Sequence, residues 1–422
     1  MERDLRKDSE RVVRKAISAC LPDEAVRRAL EGKEFPGRVV LVSVGKAAWR
    51  MADAVWKALN GKISKGVVLT KYGHLSGPIG NLELYEAGHP VVDEASVAGT
   101  ERILELVKGL APSDTVLFLV SGGGSALFEK PLIPLSELAE VNRQLLACGA
   151  SIGEMNGIRK RLSAVKGGRF AELCRPAKVF AVVLSDVIGD RLDVIASGPA
   201  APDRSTCKEA AETVKRYGLQ LSEKAMELLQ KETPKALENV ETCITGSVSE
   251  LCRAAAEEAG RLGYRPVILT DSLGCQAKEA GAFLGACARY QRLHAVEPLA
   301  LIAGGETVVE LTGHGKGGRN QELALAAAAE IAGMDGVCVV SAGSDGTDGP
   351  TDAAGGIVDG KTAGTLKICG ISIPEVLRQN DAYPALERCG GLLMTGPTGT
   401  NVNDVAAALI YPEKSQETLF FL

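Results

Sequence analysis

RVVLVSVGKAAWRMADAVWKAL, at residues 38–59, places a short apolar run rich in valine directly before a segment with helical periodicity. A nearly continuous apolar run such as Arg38 to Val44 is typical of a strand that is buried on both faces of a parallel sheet. Gly45 ends the run, and small and apolar residues then recur at helical spacing as far as Leu59. A strand followed by a helix, repeated along the chain, predicts an α/β protein.

Further strands are predicted on both sides of a domain boundary. The strands before it lie at residues 66–70, 82–86, 114–120 and 179–185. The strand signal then disappears between Pro202 and Thr245, where a polar, helix-prone stretch ends at Pro234. At 422 residues the chain is long enough for two domains, and we place them at residues 1–236 and 237–422. The second domain is predicted to hold strands at residues 242–245, 266–270, 299–303, 308–312 and 337–341, and a helix at residues 323–332.

The composition excludes several classes of function. Hydrophobic residues make up 45% of the chain, charged residues 24%, and the net charge is -5. Such a chain can form a sizeable core and lacks the basic footprint of a nucleic-acid-binding protein. The charged N-terminus has no signal-peptide pattern, and no run is long and apolar enough for a membrane span. The eleven cysteines are scattered. We therefore expect a cytoplasmic protein without nucleic-acid or membrane partners.

A glycine-rich loop follows the strand predicted at residues 114–120. It reads Ser121-Gly122-Gly123-Gly124-Ser125, and its glycines would let backbone N–H groups approach a phosphate or carboxylate closely. It matches neither the GxGxxG fingerprint nor the GxxxxGK[ST] loop. The alternative is a tight turn without a ligand, but ligands in open sheets bind beyond the carboxyl ends of the strands.

Charged residues follow other predicted strands of the first domain. Lys46 could supply a point charge to a phosphate or carboxylate, or be a solvated lysine at a helix start. Asp186 and Asp190 follow the strand at residues 179–185, and either could be a general base or a magnesium ligand. Asp190 could equally begin a turn. Arg159 and Lys166 belong to a cationic segment, residues 156–169, which could wall an anionic site, although we expect half or more of its charges to lie on a solvated helix face.

The second domain contains three further candidate segments. Gly304-Gly305-Glu306-Thr307 lies between two predicted strands. Arg319 and Asn320 lie at a glycine-flanked helix start, where Arg319 could face an anion or the segment could be an ordinary helical turn. Asp345 and Asp348 lie in a glycine-rich loop that could contact a metal or a nucleotide or could be a simple turn. The four histidines lack zinc-binding spacing, and we expect a structural role for His89.

These segments, in this order, resemble the class II glycerate 2-kinase family, whose C-terminal half is called the MOFRL domain. The resemblance covers nearly the whole chain. It is carried by the motifs above together with Gly88-His89-Pro90, the run from Arg159 to Gly168 and Ser197-Gly198-Pro199.

The resemblance implies a Rossmann-like, mainly parallel first domain, a smaller α/β (MOFRL) domain and an active site in the cleft between them. It implies Mg²⁺-dependent transfer of the γ-phosphoryl group of ATP to the 2-hydroxyl of D-glycerate, giving 2-phosphoglycerate and ADP. Lys46 and Arg319 match the family's cleft lysine and arginine and would stabilise the transferring group. Asp186 would accept the hydroxyl proton or help hold magnesium.

The resemblance also implies binding roles for the remaining candidate residues. The Ser121–Ser125 loop would hold the substrate carboxylate or a phosphate. Arg159, Lys166, Asp190 and Asn320 are further candidates for substrate or phosphate binding, and Gly304-Gly305-Glu306-Thr307, Asp345 and Asp348 for nucleotide binding. The metal ligands stay open, and a homodimer is one open option for the assembly.

Two other functions compete with the kinase. The first is an oxidoreductase acting on hydroxypyruvate, a label attached to relatives of this family, against which the missing dinucleotide fingerprint argues. The second is a non-catalytic protein that binds a carboxylate or a nucleotide.

Overall fold

A computed structural model describes residues 3–59 and 61–413 of the chain. The strands in these residues are β1 (Val39–Val44), β2 (Ile63–Lys71), β3 (Glu83–Ala87), β4 (Thr115–Val120), β5 (Lys178–Leu184), β6 (Val240–Gly246), β7 (Arg265–Leu273), β8 (Leu299–Gly305), β9 (Val337–Gly343), β10 (Gly355–Asp359), β11 (Leu392–Leu393) and β12 (Asp404–Ile410).

The helices are numbered in the same way. They are α1 (Leu5–Ala19), α2 (Pro22–Leu30), α3 (Ala48–Leu59), α4 (Glu94–Leu106), α5 (Gly124–Leu127), α6 (Leu135–Ala147), α7 (Ile152–Arg161), α8 (Arg169–Leu173), α9 (Cys207–Tyr217), α10 (Glu223–Leu229), α11 (Val248–Arg261), α12 (Ala277–His294), α13 (Arg319–Glu330), α14 (Thr362–Ile368), α15 (Ile373–Gln379) and α16 (Ala382–Arg388), and a 3₁₀ turn spans Ile195–Ser197.

The chain forms two compact units. The parallel-sheet unit is Pro22–Thr245, and the mixed-sheet unit joins the described residues up to Leu21 to those from Gly246 onward. The sequence placed the boundary at residue 236 and assigned the N-terminus to the first domain. The structure differs because the apolar face of α1, with Val12, Val13 and Ala16, is buried in the core formed by α11 and the mixed sheet.

The parallel-sheet unit is built on strands in the order β3-β2-β1-β4-β5-β6. Parallel pairing joins β1 to β2 and β4, β2 to β3, and β4 to β5. Every residue of β1 is buried, and alternate side chains enter two different cores, one containing Val40 and Val42 and the other Val39 and Leu41. The continuous apolar run therefore forms a strand covered on both faces, as its sequence predicts.

The mixed-sheet unit has its strands in the order β11-β10-β9-β12-β8-β7. β7 pairs with β8 in parallel, whereas β12 runs antiparallel between β8 and β9. The start of β12 therefore lies at the carboxyl ends of β8 and β9. One face of the sheet packs against α1 and α11, and the other against α12 and α13.

Two predicted strands need correction. The strand expected at residues 242–245 is part of β6, which lies beside β5 in the parallel sheet. The strand expected at residues 308–312 is absent from the described structure, where Val308 makes only an isolated bridge with Gln276. The backbone N–H groups of Thr312 and Gly313 donate to Asn380 Oδ1, at 2.8 and 2.9 Å, so a side chain satisfies this segment in place of a neighbouring strand.

Candidate functional site

Three loops meet at the carboxyl edge of the parallel sheet, after β1, β4 and β5. The Lys46 backbone N–H donates to Gly122 O at 2.9 Å, and Ser121 Oγ accepts from Ala47 N at 3.0 Å. A Cβ atom on Gly122 would collide with Asp186 Oδ2. The absence of a side chain at Gly122 therefore lets the Asp186 carboxylate lie directly against the glycine-rich loop.

The next glycine of this loop, Gly123, allows the segment that follows β3 to approach the loop closely. Gly123 has a φ of 87°, and a Cβ there would lie 3.0 Å from His89 Cδ2, 3.1 Å from His89 Nε2 and 3.1 Å from Lys46 Cγ. Burial, and then the charges of Lys46 and Lys71, lower the pKa of His89. Burial and these neighbouring charges therefore disfavour the protonated form of His89 beside Lys46.

A cavity of about 380 Å³ opens beside this loop, entirely within the parallel-sheet unit. Its polar lining comes from Ser125, Glu129, Asn142, Arg143, Arg159, Lys166 and His89, and leucine and alanine side chains of α6 form its apolar wall. A concave, mainly apolar site with a few converging polar groups is the usual form of a small-molecule site.

Lys166 is fully engaged by protein groups at this cavity. Its ammonium donates to Glu129 Oε2 at 2.5 Å, Ser125 O at 2.7 Å and Phe128 O at 3.3 Å, which accounts for its three N–H groups. Both Lys166 and Glu129 are buried, and burial lowers the pKa of Lys166. Lys166 therefore fixes the segment from Ser125 to Glu129, which continues the glycine-rich loop.

Arg159 presents the cation that the protein leaves available to the cavity. Its Nε donates to Asn142 Oδ1 at 2.7 Å. Within the residues that the structure describes, its two terminal nitrogens have no hydrogen-bond or ion-pair partner. Burial lowers the pKa of Arg159, but a guanidinium stays protonated in proteins. A half-buried guanidinium with two unused donors can receive a carboxylate or a phosphate in bidentate fashion.

A buried hydroxyl chain supports the same loop from behind. Ser125 Oγ lies 3.0 Å from Ser197 Oγ, which in turn donates to Asn156 Oδ1 at 3.3 Å. Ser197 and Ala196 adopt left-handed backbone conformations, with φ of 60° and 50°. These non-glycine residues hold the turn against Gly124, where a Cβ would lie 2.7 Å from Ala196 Cβ.

Asp190 is not brought to this site by any described contact. It has a φ of 50°, and its buried Oδ1 has no described hydrogen-bond partner.

The expectation that half or more of the charges in residues 156–169 lie on a solvated face is wrong, since Lys160, Arg161 and Lys166 are all buried. Lys160 pairs with Asp203 at 2.9 Å, which makes it part of the internal framework.

The mixed-sheet unit gathers the second group of predicted residues at the carboxyl ends of β8 and β9. Arg319, the first residue of α13, donates from Nε and Nη2 to Asp404 at 2.5 and 3.0 Å and from Nη1 to Glu306 at 3.0 Å. These contacts raise the pKa of Arg319, while burial raises the pKa of Asp404. Glu306 is exposed and Asp404 is buried, so Asp404 is the firmly held partner.

Asp348 supports the start of the same helix. Its two carboxylate oxygens accept from the backbone N–H groups of Asn320 and Gln321 at 3.1 and 2.9 Å. Gly318 precedes the helix and has no side chain to cap it, so Asp348 supplies the cap from another loop. Burial raises the pKa of Asp348 to about 6. The Asn320 side chain is also buried and accepts from Ser341 Oγ at 2.6 Å.

The glycines after β8 allow close backbone packing around this group. Gly305 lies against the Leu273 backbone, and the following Thr307 is buried. Asp345 Oδ1 accepts from Thr347 N at 3.0 Å. A Cβ on Gly343 would lie 3.3 Å from Asp345 Oδ1 and 3.4 Å from Asp404 Oδ1, so both carboxylates border the same point. Across residues 3–59 and 61–413, no three His, Cys, Asp or Glu side chains form a ready-made metal site.

Four residues of these sites were missed or set aside in the sequence. His89 was assigned a structural role, and Glu129, Asn142 and Asp404 were not singled out. Glu129 and Asp404 carried a usable signal, because each is a carboxylate beside an apolar run and a buried carboxylate requires a partner. Asn142 lies on an ordinary amphipathic helix and gave none.

The fold and the two sites define an α/β protein with cationic and acidic groups at the carboxyl edges of both sheets, as small-molecule phosphotransferases require. Residues 8–230 match the family described as a domain of unknown function (DUF4147), and residues 299–404 match the MOFRL family. The chain belongs to the glycerate 2-kinase family with a C-terminal MOFRL domain, as its motifs predicted, and it is a kinase.

Three relatives show the extent of the similarity. The chain is 54% identical to the D-glycerate 2-kinase of Thermotoga maritima, over 96% of this chain and 98% of that protein. It is 40% identical to the glycerate 2-kinase of Pyrococcus horikoshii, over 98% and 99% of the two chains. A third relative, from Agrobacterium vitis, is 40% identical over 95% of this chain and 93% of its own, and bears a hydroxypyruvate reductase name.

Solved structures confirm the fold class. The crystal structure of glycerate kinase from Thermotoga maritima matches with a TM-score of 0.93, over 96% of this chain and 99% of that chain. A Pyrococcus horikoshii protein that is 39% identical matches with a TM-score of 0.92, over 98% and 100% of the two chains. Among the helices of the described residues, none has the length and apolarity that a membrane span requires.

Proposed function

We propose that this kinase transfers the γ-phosphoryl group of ATP to the 2-hydroxyl of D-glycerate, giving 2-phosphoglycerate and ADP. The observation that carries the proposal is the cavity in which the available Arg159 guanidinium lies beside the loop that holds Lys46 and Asp186. The names of the Thermotoga and Pyrococcus relatives supply the substrate.

Arg159 would anchor the carboxylate of the hydroxy acid. Its planar guanidinium has two unused donors, which match the two oxygens of a carboxylate. Asn142 keeps the side chain oriented through Nε. The loop from Ser121 to Ser125 would hold the neighbouring phosphate or carboxylate oxygens with its backbone N–H groups, and Lys166 fixes that loop in place.

Lys46 and Arg319 would stabilise the negative charge of the transferring phosphoryl group and of the nucleotide phosphates. Phosphoryl transfer depends mainly on positioning and on positive charge at the phosphate oxygens. Arg319 can bind a phosphate if its ion pair with the exposed Glu306 breaks, while the ion pair with Asp404 keeps the guanidinium oriented. The segment from Gly304 to Thr307, together with Asp345, would contact the nucleotide, and Asp348 and Asn320 would hold the start of α13.

A magnesium ion fits the oxygen ligand that Asp186 offers at the carboxyl edge of the parallel sheet. Mg²⁺ usually takes one or two carboxylates together with substrate phosphates and keeps several waters. The half-buried Asp186, held against Gly122, is such a carboxylate, and the ion would neutralise phosphate charge there. Asp186 would hold that ion or accept the proton of the 2-hydroxyl.

The activity test is a coupled assay with D-glycerate, ATP and magnesium. Enolase detects 2-phosphoglycerate directly, whereas 3-phosphoglycerate gives a signal only after a mutase is added. Signal without mutase is the expected result. Signal only with mutase would move the transfer to the 3-hydroxyl, and NADH oxidation with hydroxypyruvate would replace the kinase proposal with the reductase. Ligand binding by calorimetry without turnover of any kind would indicate a non-catalytic binding protein.

Substitutions test the assigned residues. Lys46→Ala and Arg319→Ala are expected to lower kcat by orders of magnitude, since each removes a charge that stabilises the transition state. Arg159→Lys is expected to raise KM for D-glycerate and leave KM for ATP unchanged, because lysine cannot form the bidentate contact. Lys57→Ala and Arg378→Ala are matched controls, since both residues are exposed and pair with nearby helix carboxylates. Normal turnover in a folded Lys46 or Arg319 variant would remove that residue from the proposal.

We also propose a cytoplasmic location, because the eleven cysteines are scattered along the chain and never spaced as CxxC, which is typical of buried thiols in a reducing compartment. A homodimer is one open option for the assembly, and sedimentation velocity tests it directly.

A further inference from the structure

His89 occupies a position that its sequence context did not indicate. It follows β3 and meets the glycine-rich loop, where a Cβ on Gly123 would lie within 3.1 Å of its Nε2. It also lines the cavity that contains Arg159. The imidazole thus lies against the loop at which Lys46 and Asp186 converge, and it lines the same cavity as Arg159.

The ring nitrogens of His89 are not engaged by the protein. Over residues 3–59 and 61–413, neither nitrogen makes a hydrogen bond. His74 provides a contrast, because its Nδ1 contacts Lys46 O at 3.1 Å. His89 therefore has a lone pair and an N–H group available to a ligand in the cavity.

The charges around His89 favour its unprotonated form in the free protein. Lys46, Lys71 and His74 lower its pKa, in addition to burial. The other titratable groups of the cavity are Arg159, the Lys166–Glu129 pair and Arg143, which is itself paired with Glu140. A phosphate bound at Lys46 would offset the repulsion and raise the proton affinity of the imidazole when the substrate is in place.

We propose that His89 is a catalytic residue that accepts the proton of the substrate 2-hydroxyl. The inference rests on the kinase function proposed above. The hydroxyl oxygen forms a bond to the γ-phosphorus of the nucleoside triphosphate, and the bond from that phosphorus to the β–γ bridging oxygen breaks, with its electron pair leaving on the diphosphate. The hydroxyl proton moves to a ring nitrogen of His89 and then to solvent. Asp186 is thereby left to the divalent cation.

The test compares pH profiles of the wild type, His89→Gln and His74→Gln. Glutamine keeps hydrogen-bonding groups at this position but cannot accept the proton. We expect His89→Gln to lower kcat by about 10² to 10⁴-fold, the usual contribution of a general base, with KM for ATP unchanged. The acid limb of the kcat/KM profile should disappear in His89→Gln and remain in His74→Gln.

Chemical rescue provides a second readout. His89→Gly opens space for a free base, so added imidazole is expected to restore turnover with a dependence on the pKa of the added base. A His89→Gln variant that keeps the acid limb, or that changes only KM for ATP, would overturn the inference while leaving the kinase function intact. Absence of phosphorylation by the wild type would overturn both.

Discussion

The buried pair of Lys166 and Glu129 offers the sharpest test of how the parallel-sheet unit is held together. The side chains are 1% and 3% exposed, and Lys166 Nζ lies 2.5 Å from Glu129 Oε2. Removing one partner leaves the other charge buried without compensation, which typically costs 3–5 kcal/mol. We therefore expect Lys166→Met to lower the free energy of unfolding of this unit by about 3–5 kcal/mol.

Replacing both partners is expected to cost less than replacing one. The double variant Lys166→Met/Glu129→Met buries no charge, but it leaves Ser125 O and Phe128 O without the donor that Lys166 supplied. Each orphaned carbonyl costs about 1 kcal/mol or more. The double variant should thus lose about 1–3 kcal/mol, giving a coupling energy of several kcal/mol between the two positions.

The chain provides its own reporter for this measurement. Its two tryptophans, Trp49 and Trp56, both lie in the parallel-sheet unit, so tryptophan fluorescence follows that unit alone during urea unfolding. With a slope of about 3 kcal/mol per molar urea, Lys166→Met should lower the midpoint by about 1–1.7 M. Lys57→Met is the control and should leave the midpoint unchanged, because its partner Asp53 is on the helix surface. The reasoning would be refuted if the double variant lost as much free energy of unfolding as the two single variants together.

Three further predictions concern the mixed-sheet unit and are measured by amide hydrogen exchange. Asp348→Ala should destabilise α13 by about 1–2 kcal/mol, as loss of a helix cap does, whereas unchanged exchange in α13 would contradict the capping role. Because burial raises the pKa of Asp348 from 3.8 to about 6, the folded state holds this proton more tightly, so the stability contributed by Asp348 should fall as pH rises from 4 to 6. Asp348→Asn should remove that slope. Deleting residues 1–21 removes the apolar face of α1 from its core and should expose the amides of β9 and β12, while Lys15→Ala on the exposed face should not.

The strands that are buried on both faces could be predicted from the sequence. β1, β4, β5, β8 and β9 are continuous apolar runs bounded by glycine or polar residues, and each was predicted to within about two residues, the usual uncertainty of element ends. β12 was missed because its alanine-rich sequence also suits a helix, and its strand conformation depends on pairing with β8 and β9. Helix α1 was assigned to the wrong unit because an amphipathic pattern shows which face is buried but not what covers it.

The position of a candidate residue in the fold could be predicted where the residue directly follows a strand. Lys46, Gly122 and Asp186 belong to this class, because the carboxyl ends of neighbouring parallel strands meet at one edge whatever the loops contain. Arg159 and Lys166 were assigned one shared role as members of one cationic segment, yet the structure separates them. The ammonium of Lys166 donates to three acceptors of the protein, whereas the guanidinium of Arg159 keeps two free donors. A cationic sequence pattern does not count hydrogen-bond partners.

His89 shows why such counting decides function. A lone histidine in a turn is more often structural, and its sequence context of glycine and proline favoured that interpretation. In the described residues, His74 Nδ1 contacts Lys46 O, whereas neither ring nitrogen of His89 makes a hydrogen bond. The half-buried His89 also lines the cavity, which His74 does not. The distinction arises from Gly123, whose missing side chain admits the ring between Lys46 and the cavity. A Cβ at Gly123 would require His89 to move by a few tenths of an ångström and would strain a backbone with a φ of 87°. We therefore expect a folded Gly123→Ala variant to have a weakened acid limb in its kcat/KM profile, whereas a normal profile would show that His89 does not depend on this space.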